Sequence, residues 1–133
     1  MKSVIKGLEP KLVWEHFYEI SQIPHESGNE KAIGEYIISI AIRNNMPYQK
    51  DGMGNIIVSC PASAGMENSP GVVIQGHIDM VCEKNNDTVH DFDKDPIKLV
   101  RDGEWLRADG TTLGSDNGIG VCCALAIMDD KTI

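Results

Sequence analysis

The stretch GVVIQGHIDMVCEK, residues 71–84, carries the strongest structural signal in the sequence. Residues 72–74 are β-branched, which predicts a buried strand. The apolar run is followed by His77 and Asp79, two titratable side chains spaced i, i+2, which point to the same side of an extended segment. In an α/β sheet ligands collect at the carboxyl ends of strands, so we expect this pair to lie at a functional site.

A histidine next to a carboxylate suits a metal site. An imidazole that binds a metal through one nitrogen usually has its other nitrogen held by a carboxylate or carbonyl, which fixes its tautomer. Asp79 is placed to do this for His77. The alternative is an ordinary surface pair at the end of a strand, which an isolated His-x-Asp pattern does not exclude.

Asp116 is the third candidate residue. It lies in DGTTLGSDNGIG, residues 109–120, where four glycines indicate a sharply bent backbone directly before an apolar segment. A carboxylate presented there could bind a metal together with His77. The alternative is simple N-capping of the following helix by Asp116 or Asn117.

Composition narrows the function classes. The chain has 133 residues, 41% of them hydrophobic, and a formal net charge of −8. This composition predicts one globular domain that binds neither nucleic acid nor an anionic membrane, and the negative charge favours a cationic ligand.

The sequence has no secretory signal and no apolar run long enough to cross a membrane, so we expect a cytoplasmic protein. The four cysteines, at positions 60, 82, 122 and 123, form no zinc or disulfide framework and are expected to be reduced core residues.

Hydrophobic spacing predicts mixed α/β structure. Helices are expected over residues 9–21 and, after a capping box formed by Ser27 and Glu30, up to about residue 45. Hairpins are expected around the turns at residues 51–55 and 102–103, separated by a loop at 61–70 and the strand from residue 72. A final helix, from residue 118, is apolar all round and must be covered on more than one side.

Two other segments partly match known binding motifs. Asp91, Asp93 and Asp95 imitate the start of an EF-hand loop, but Pro96 stands where that loop needs glycine and Asp102 where it needs glutamate. The glycine-rich segment 109–120 lacks the lysine of a phosphate-binding loop. The sequence therefore predicts a solvated acidic loop and no phosphate site.

Four motifs, in order, resemble the aminoacyl-histidine dipeptidases (peptidase D) of the M20 metallopeptidase family: SQIPHESGNE at 21–30, DGMGNIIV at 51–58, GHIDMVCEK at 76–84 and WLRADGTTLGSDNGIGV at 105–121. The resemblance implies a three-layer α/β/α catalytic domain, of which residues 1–133 would be the N-terminal part. It also implies a separate lid and dimerisation domain outside this sequence, and a homodimeric parent protein.

The resemblance further implies roles for the candidate residues. His77 would be a ligand of one of two zinc ions, Asp79 the catalytic carboxylate that orients it, and Asp116 the carboxylate that bridges both metals, followed by a cis peptide bond to Asn117. The reaction would be hydrolysis of Xaa-His and related dipeptides by metal-activated water, with manganese or cobalt as possible substitutes for zinc. A glutamate pair, a further acid and a histidine complete such a site, and none has a position in this sequence.

We therefore expect an N-terminal segment of a dipeptidase that is inactive by itself. Two alternatives stay open at this level. One is a non-catalytic fragment that associates with a partner chain, and the other is an M20 peptidase or deacylase with a different substrate.

Overall fold

Three α-helices and two β-hairpins make up most of the regular structure in residues 2–133, the part of the chain that the computed structural model describes. The elements are a short 3-10 helix at Lys2–Ile5, α1 at Lys11–Ser21, α2 at Lys31–Arg43, β1 at Tyr48–Lys50, β2 at Ile56–Val58, β3 at Leu99–Asp102, β4 at Trp105–Ala108 and α3 at Ser115–Asp129. The two predicted hairpins and three predicted helices are confirmed. Within the described range, no helix has both the length and the apolar character that a membrane span needs.

The core forms where α3 packs against α1 and α2. Phe17 and Ile20 of α1 are almost completely buried, and they lie against the start of α3. A Cβ atom at Gly118 would lie 3.2 Å from Ile20 Cδ1 and 3.3 Å from Phe17 Cε2, so the glycine permits this close approach. On the other side of α3, Leu125 packs with Ile40 of α2. The apolar helix is thus covered by the two helices that precede it in sequence.

The two hairpins form separate antiparallel sheets. Tyr48 of β1 pairs with Val58 of β2, and Leu99 of β3 pairs with Ala108 of β4. Each sheet has two strands within the described residues. The strands therefore do not join into one continuous sheet in this part of the chain.

The predicted buried strand from residue 72 is wrong for this chain. Residues 72–79 form no strand, and the exposed fractions of Val72, Val73 and Ile74 are 85%, 90% and 56%. The prediction failed because burial and strand pairing both require a neighbouring element, and none of the described residues supplies one here. The β-branched residues remain an apolar surface.

The expectation that the cysteines are core residues is correct only in part. Cys122 is fully buried, but Cys60 and Cys123 are exposed and Cys82 is half-buried. Cys60 follows the second strand of a hairpin, and Cys123 lies on the side of α3 that neither α1 nor α2 covers. All four thiols are free, as expected.

A cluster of polar side chains lies beside the helical core at the C-terminal end of α3. Asp129, at the C-terminal end of α3, forms an ion pair with Arg43 and accepts a 2.5 Å hydrogen bond from Asn44 Nδ2. His16 Nε2 lies 2.9 Å from Asp129 Oδ2, out of line for a hydrogen bond, and His16 Nδ1 lies 2.8 Å from the Tyr36 hydroxyl. The cation of Arg43 compensates for a negative charge that the helix dipole disfavours at this position.

The stability of the chain should decrease below neutral pH because of this cluster. Burial lowers the pKa of His16. The neighbouring Asp129 and Glu15 oppose that effect only in part, and Arg43 adds to it. Since the folded-state pKa is lower than that of the unfolded chain, the unfolded chain binds the proton first as the pH falls. The contribution is fully present above pH ~6.5 and decreases below it, by at most about 1.4 kcal/mol per pH unit for one proton.

Replacing His16 with glutamine should therefore flatten the dependence of the melting temperature on pH between about 6.5 and 5. Calorimetry of the wild-type chain and the variant measures this slope. Ser39→Ala, which removes a hydroxyl from α2 and changes no titratable group, is the control and should keep the wild-type slope. Equal slopes in all three proteins would contradict the assignment to His16.

Candidate metal centre

His77 lies between two carboxylates. Its Nδ1 atom is 2.9 Å from Asp79 Oδ1, and its Nε2 atom is 3.2 Å from Asp116 Oδ1. The structure thus brings together all three residues that the sequence nominated, although Asp116 is 39 positions from His77. The imidazole side chain is 53% exposed and the Asp116 side chain 96% exposed, so the site opens to solvent.

The electrostatics of the site favour a cation. Hydrogen bonds to Asp79 and then to Asp116 raise the pKa of His77 above its ordinary value. The pKa of Asp79 is lowered, first by the hydrogen bond from Ser27 and then by the one with His77. The carboxylate of Asp79 is therefore held in its charged form, and positive charge near the imidazole is stabilised.

Backbone contacts hold the segment of His77 next to the loop of Asp116. The Thr112 amide donates a 2.9 Å hydrogen bond to the Glu83 carbonyl oxygen, and the Glu83 amide donates one of 3.2 Å to Thr112 Oγ1. A Cβ atom at Gly76 would lie 2.7 Å from Asn117 Nδ2, so only glycine allows Asn117 to lie this close. These contacts explain how distant positions in sequence form one site.

Asp116 does not act as a simple helix cap. The N-cap of α3 is Gly114, and no side-chain hydrogen bond caps the helix. Asp116 and Asn117 have non-helical backbone angles inside the first turn, and the peptide bond between them is cis, as the family resemblance implied. The alternative of N-capping by Asp116 is therefore wrong, because its carboxylate faces His77.

Ser27 is a site residue that sequence reasoning missed. We expected it to cap α2, but the N-cap of that helix is Glu30 and has no side-chain cap hydrogen bond. Ser27 Oγ instead donates a hydrogen bond to Asp79 Oδ2, while Glu30 Oε1 accepts one from the Gly28 amide. The prediction of a capping box is wrong because a tertiary acceptor, 52 positions away, takes the serine hydroxyl.

A cleft of about 780 Å³ opens beside His77 and Asp79. Its walls are the start of α2, the loop and edge of the first hairpin, and residues 75–79. This volume lies within the usual range for small-molecule sites. The cleft gives a solute access to the imidazole.

The site fits one edge of a metal coordination sphere. With metal–ligand bonds near 2.0 Å, two ligands of a tetrahedral zinc are about 3.3 Å apart, close to the 3.2 Å between His77 Nε2 and Asp116 Oδ1. Nδ1 is held by Asp79, as in many metal-binding histidines. No group of three or more potential metal ligands occurs among residues 2–133. The residues present fit a metal, but they supply only part of its ligand set.

In the acidic loop at residues 91–95, the carboxylates of Asp91 and Asp95 have partners within the loop. Asp95 accepts a hydrogen bond from the Asp91 amide at 2.8 Å, and Lys94 Nζ forms a 2.7 Å ion pair with Asp91. This arrangement agrees with the predicted solvated acidic loop.

Known proteins resemble the chain closely in sequence and fold. It is 50% identical over 131 residues to the cytosol non-specific dipeptidase of Escherichia coli, a match that covers 98% of this chain and 27% of that protein. The crystal structure of an aminoacylhistidine dipeptidase from Vibrio alginolyticus superposes with a TM-score of 0.93 and 47% identity, over 98% of this chain and 26% of the other. No protein-family model matches the chain.

The superposition confirms the α/β fold class, and the sequence identity confirms the resemblance that the motifs indicate. The chain is homologous to the aminoacylhistidine and cytosol non-specific dipeptidases and spans about a quarter of their length.

Proposed function

We propose that residues 1–133 are the N-terminal part of the catalytic domain of a zinc-dependent M20 dipeptidase. The observation that carries this proposal is the placement of His77 between Asp79 and Asp116 in a chain 50% identical to a dipeptidase. Neither feature would suffice alone, since a His–Asp pair is common on protein surfaces and homology does not identify the working residues.

Two backbone edges support the assignment to part of a larger domain. The cleft lies between the first hairpin and segment 75–79, and in residues 2–133 the hairpin sheet has only its two strands and segment 75–79 belongs to no sheet. The exposed β-branched residues 72–74 lie just before this segment. Unpaired strand edges and exposed apolar residues are features that folded domains normally cover. We propose that further catalytic-domain residues, outside this sequence, cover them.

His77 and Asp116 would bind the metal, and Asp79 would hold His77 in the required orientation. With the proton on Nδ1 and donated to Asp79, the Nε2 lone pair of His77 would be free to coordinate a metal held together with Asp116. Bound zinc would supply Lewis-acid chemistry, which activates water and polarises the scissile carbonyl group. Imidazole and carboxylate ligands also accept manganese or cobalt.

The substrates we propose are dipeptides, including those with a C-terminal histidine. The names of the two homologues support this class, since one is a non-specific dipeptidase and the other an aminoacylhistidine dipeptidase. A cytoplasmic location agrees with the E. coli relative, which is a cytosol enzyme. We further propose that the parent protein is a homodimer.

A chimeric enzyme tests this function. The 131 aligned residues of the chain would replace their counterparts in the E. coli dipeptidase, and release of histidine from an Xaa-His dipeptide would be measured with added zinc. We expect the chimera to hydrolyse the dipeptide and the isolated chain to release no histidine, because residues 2–133 contain no group of three or more potential metal ligands. A folded, zinc-loaded chimera without activity would contradict the proposal.

Dipeptide hydrolysis by the isolated chain would contradict one part of the proposal. If that activity were lost in His77→Ala, the chain itself would supply the missing groups, and the proposal that it forms only part of a site would be wrong. Size-exclusion chromatography with light scattering, on the chain as purified and after mixing with a candidate partner, tests the alternative of a partner-binding fragment. A stable complex with an unrelated protein would favour that alternative, whereas soluble aggregate of the chain would favour part of a larger domain.

A further inference from the structure

We propose that Ser27 is a positioning residue of the metal centre, which fixes the tautomer of His77 by holding Asp79. This inference rests on the proposed role of His77 as a metal ligand and goes beyond it. The sequence Ser27-x-x-Glu30 has the form of a capping box, yet neither side chain caps α2. Helix α2 therefore lacks a stabilising cap hydrogen bond, and the Ser27 hydroxyl donates to Asp79 of the site instead.

The two carboxylate oxygens of Asp79 have separate partners. Oδ1 faces His77 Nδ1 at 2.9 Å, and Oδ2 accepts the hydrogen bond from Ser27 Oγ. A carboxylate with one bound oxygen can still rotate about its terminal bond, whereas one held at both oxygens has a fixed plane. Ser27 therefore determines which direction Oδ1 faces, and through it which ring nitrogen of His77 carries the proton.

Ser27 is itself held next to Asp79 by the backbone on either side. The Met80 amide, directly after Asp79, donates a 3.0 Å hydrogen bond to the His25 carbonyl oxygen, and Glu26 and Met80 form a parallel bridge. On the other side of Ser27, the Gly28 amide donates to Glu30 Oε1 at 2.7 Å. The loop between α1 and α2 is thus attached to the segment of His77, and the serine hydroxyl completes a chain from the loop to the imidazole.

Nitrogen NMR of the metal-free chain tests the proposal directly. The tautomer of His77 would be determined from the ¹⁵N shifts of its ring at a pH high enough that they no longer change, because hydrogen bonds raise the pKa of this histidine. We expect the wild-type chain to show one tautomer, protonated at Nδ1, because Asp79 lies 2.9 Å from Nδ1 and is held by Ser27, whereas Asp116 lies 3.2 Å from Nε2 and its side chain is 96% exposed. Ser27→Ala should show a mixture of tautomers, and Ser27→Thr, which keeps the hydroxyl, should restore the single form.

Ser39→Ala is the matched control. The Ser39 hydroxyl lies on α2 and donates to the Tyr36 carbonyl oxygen at 2.6 Å instead of to a residue of the site, so this variant should keep the wild-type tautomer. Averaged tautomers in the wild-type chain, or an unchanged single tautomer in Ser27→Ala, would overturn the proposal. If Ser27→Ala and Ser27→Thr both unfolded, the serine would have a general structural role, which would also overturn it.

A zinc titration of the chimera with the E. coli dipeptidase, which supplies the further ligands that the proposed function requires, separates this inference from the proposed function. Zinc should shift the Nε2 resonance of His77. The zinc affinity should be lower in Ser27→Ala, by less than the roughly ten- to hundredfold usual for removing the direct partner of a metal ligand, because Ser27 acts through Asp79. If zinc shifted no His77 resonance in the chimera, the metal assignment would fail, while the metal-free spectra would still decide the effect of Ser27 on the tautomer.

Discussion

His77→Ala in the chimera with the E. coli dipeptidase should lower the rate of dipeptide hydrolysis by more than about a hundredfold. Loss of an outer partner of a metal ligand already costs about ten- to a hundredfold in affinity or activity, and loss of the ligand itself should cost more. The zinc content of the purified variant should fall in parallel. Steady-state kinetics and metal analysis on the same preparation measure both quantities.

His90→Ala is the control for this prediction. His90 lies in a loop and its ring contacts Phe92, with 4.5 Å between the ring centroids, so its removal should leave zinc content and turnover near the wild-type values. Normal turnover in His77→Ala with a full complement of zinc would disprove the assignment of His77. Low turnover with normal zinc content would mean that His77 acts on the substrate and not as a ligand.

Phe17→Ala should destabilise the folded chain by about 3–5 kcal/mol, a large fraction of the stability of a domain of this size. Phe17 is only 1% exposed and fills the contact between α1 and α3, beside Gly118. Its removal leaves a cavity that the two closely packed helices cannot easily fill. Urea denaturation followed by circular dichroism measures the loss.

Trp105→Ala is the matched control, because Trp105 is a larger aromatic residue but 73% exposed. A surface substitution of this kind usually changes stability by no more than about 0.5 kcal/mol. The contrast separates core packing from the general effect of removing an aromatic ring. Equal losses in the two variants would contradict the description of the α1–α3 contact as the centre of the core. Because this core places α3, Phe17→Ala should also disturb Asp116.

The local sequence predicted the helices and hairpins well. Hydrophobic spacing located α1 and α2, and the glycine-containing turns located both hairpins, because these elements form hydrogen bonds between residues close in sequence. The candidate residues His77, Asp79 and Asp116 were also identified before any geometry was known. Their chemistry suits a metal. His77 and Asp79 follow an apolar run, and Asp116 lies in a glycine-rich segment.

Two failures have the same physical cause. Ser27 was assigned to a helix cap and residues 72–74 to a buried strand, both from local patterns that are correct on average. A hydroxyl donates to the best acceptor within reach, and Asp79 is such an acceptor only after the chain has folded. A β-branched run is buried only if another element covers it, and residues 2–133 provide none. Neither outcome can be read from the residues themselves.

By itself, the sequence determined the types of the helices and hairpins, the acidic character of the chain and the identity of the three candidate site residues. These properties depend on side-chain chemistry and on contacts over a few positions. The tertiary structure alone decided that His77 lies between Asp79 and Asp116, that Ser27 holds Asp79, and that Asp129 is neutralised by Arg43 at the end of α3. Each of these contacts joins positions that only the packing of the helices and loops brings within a few ångströms of each other.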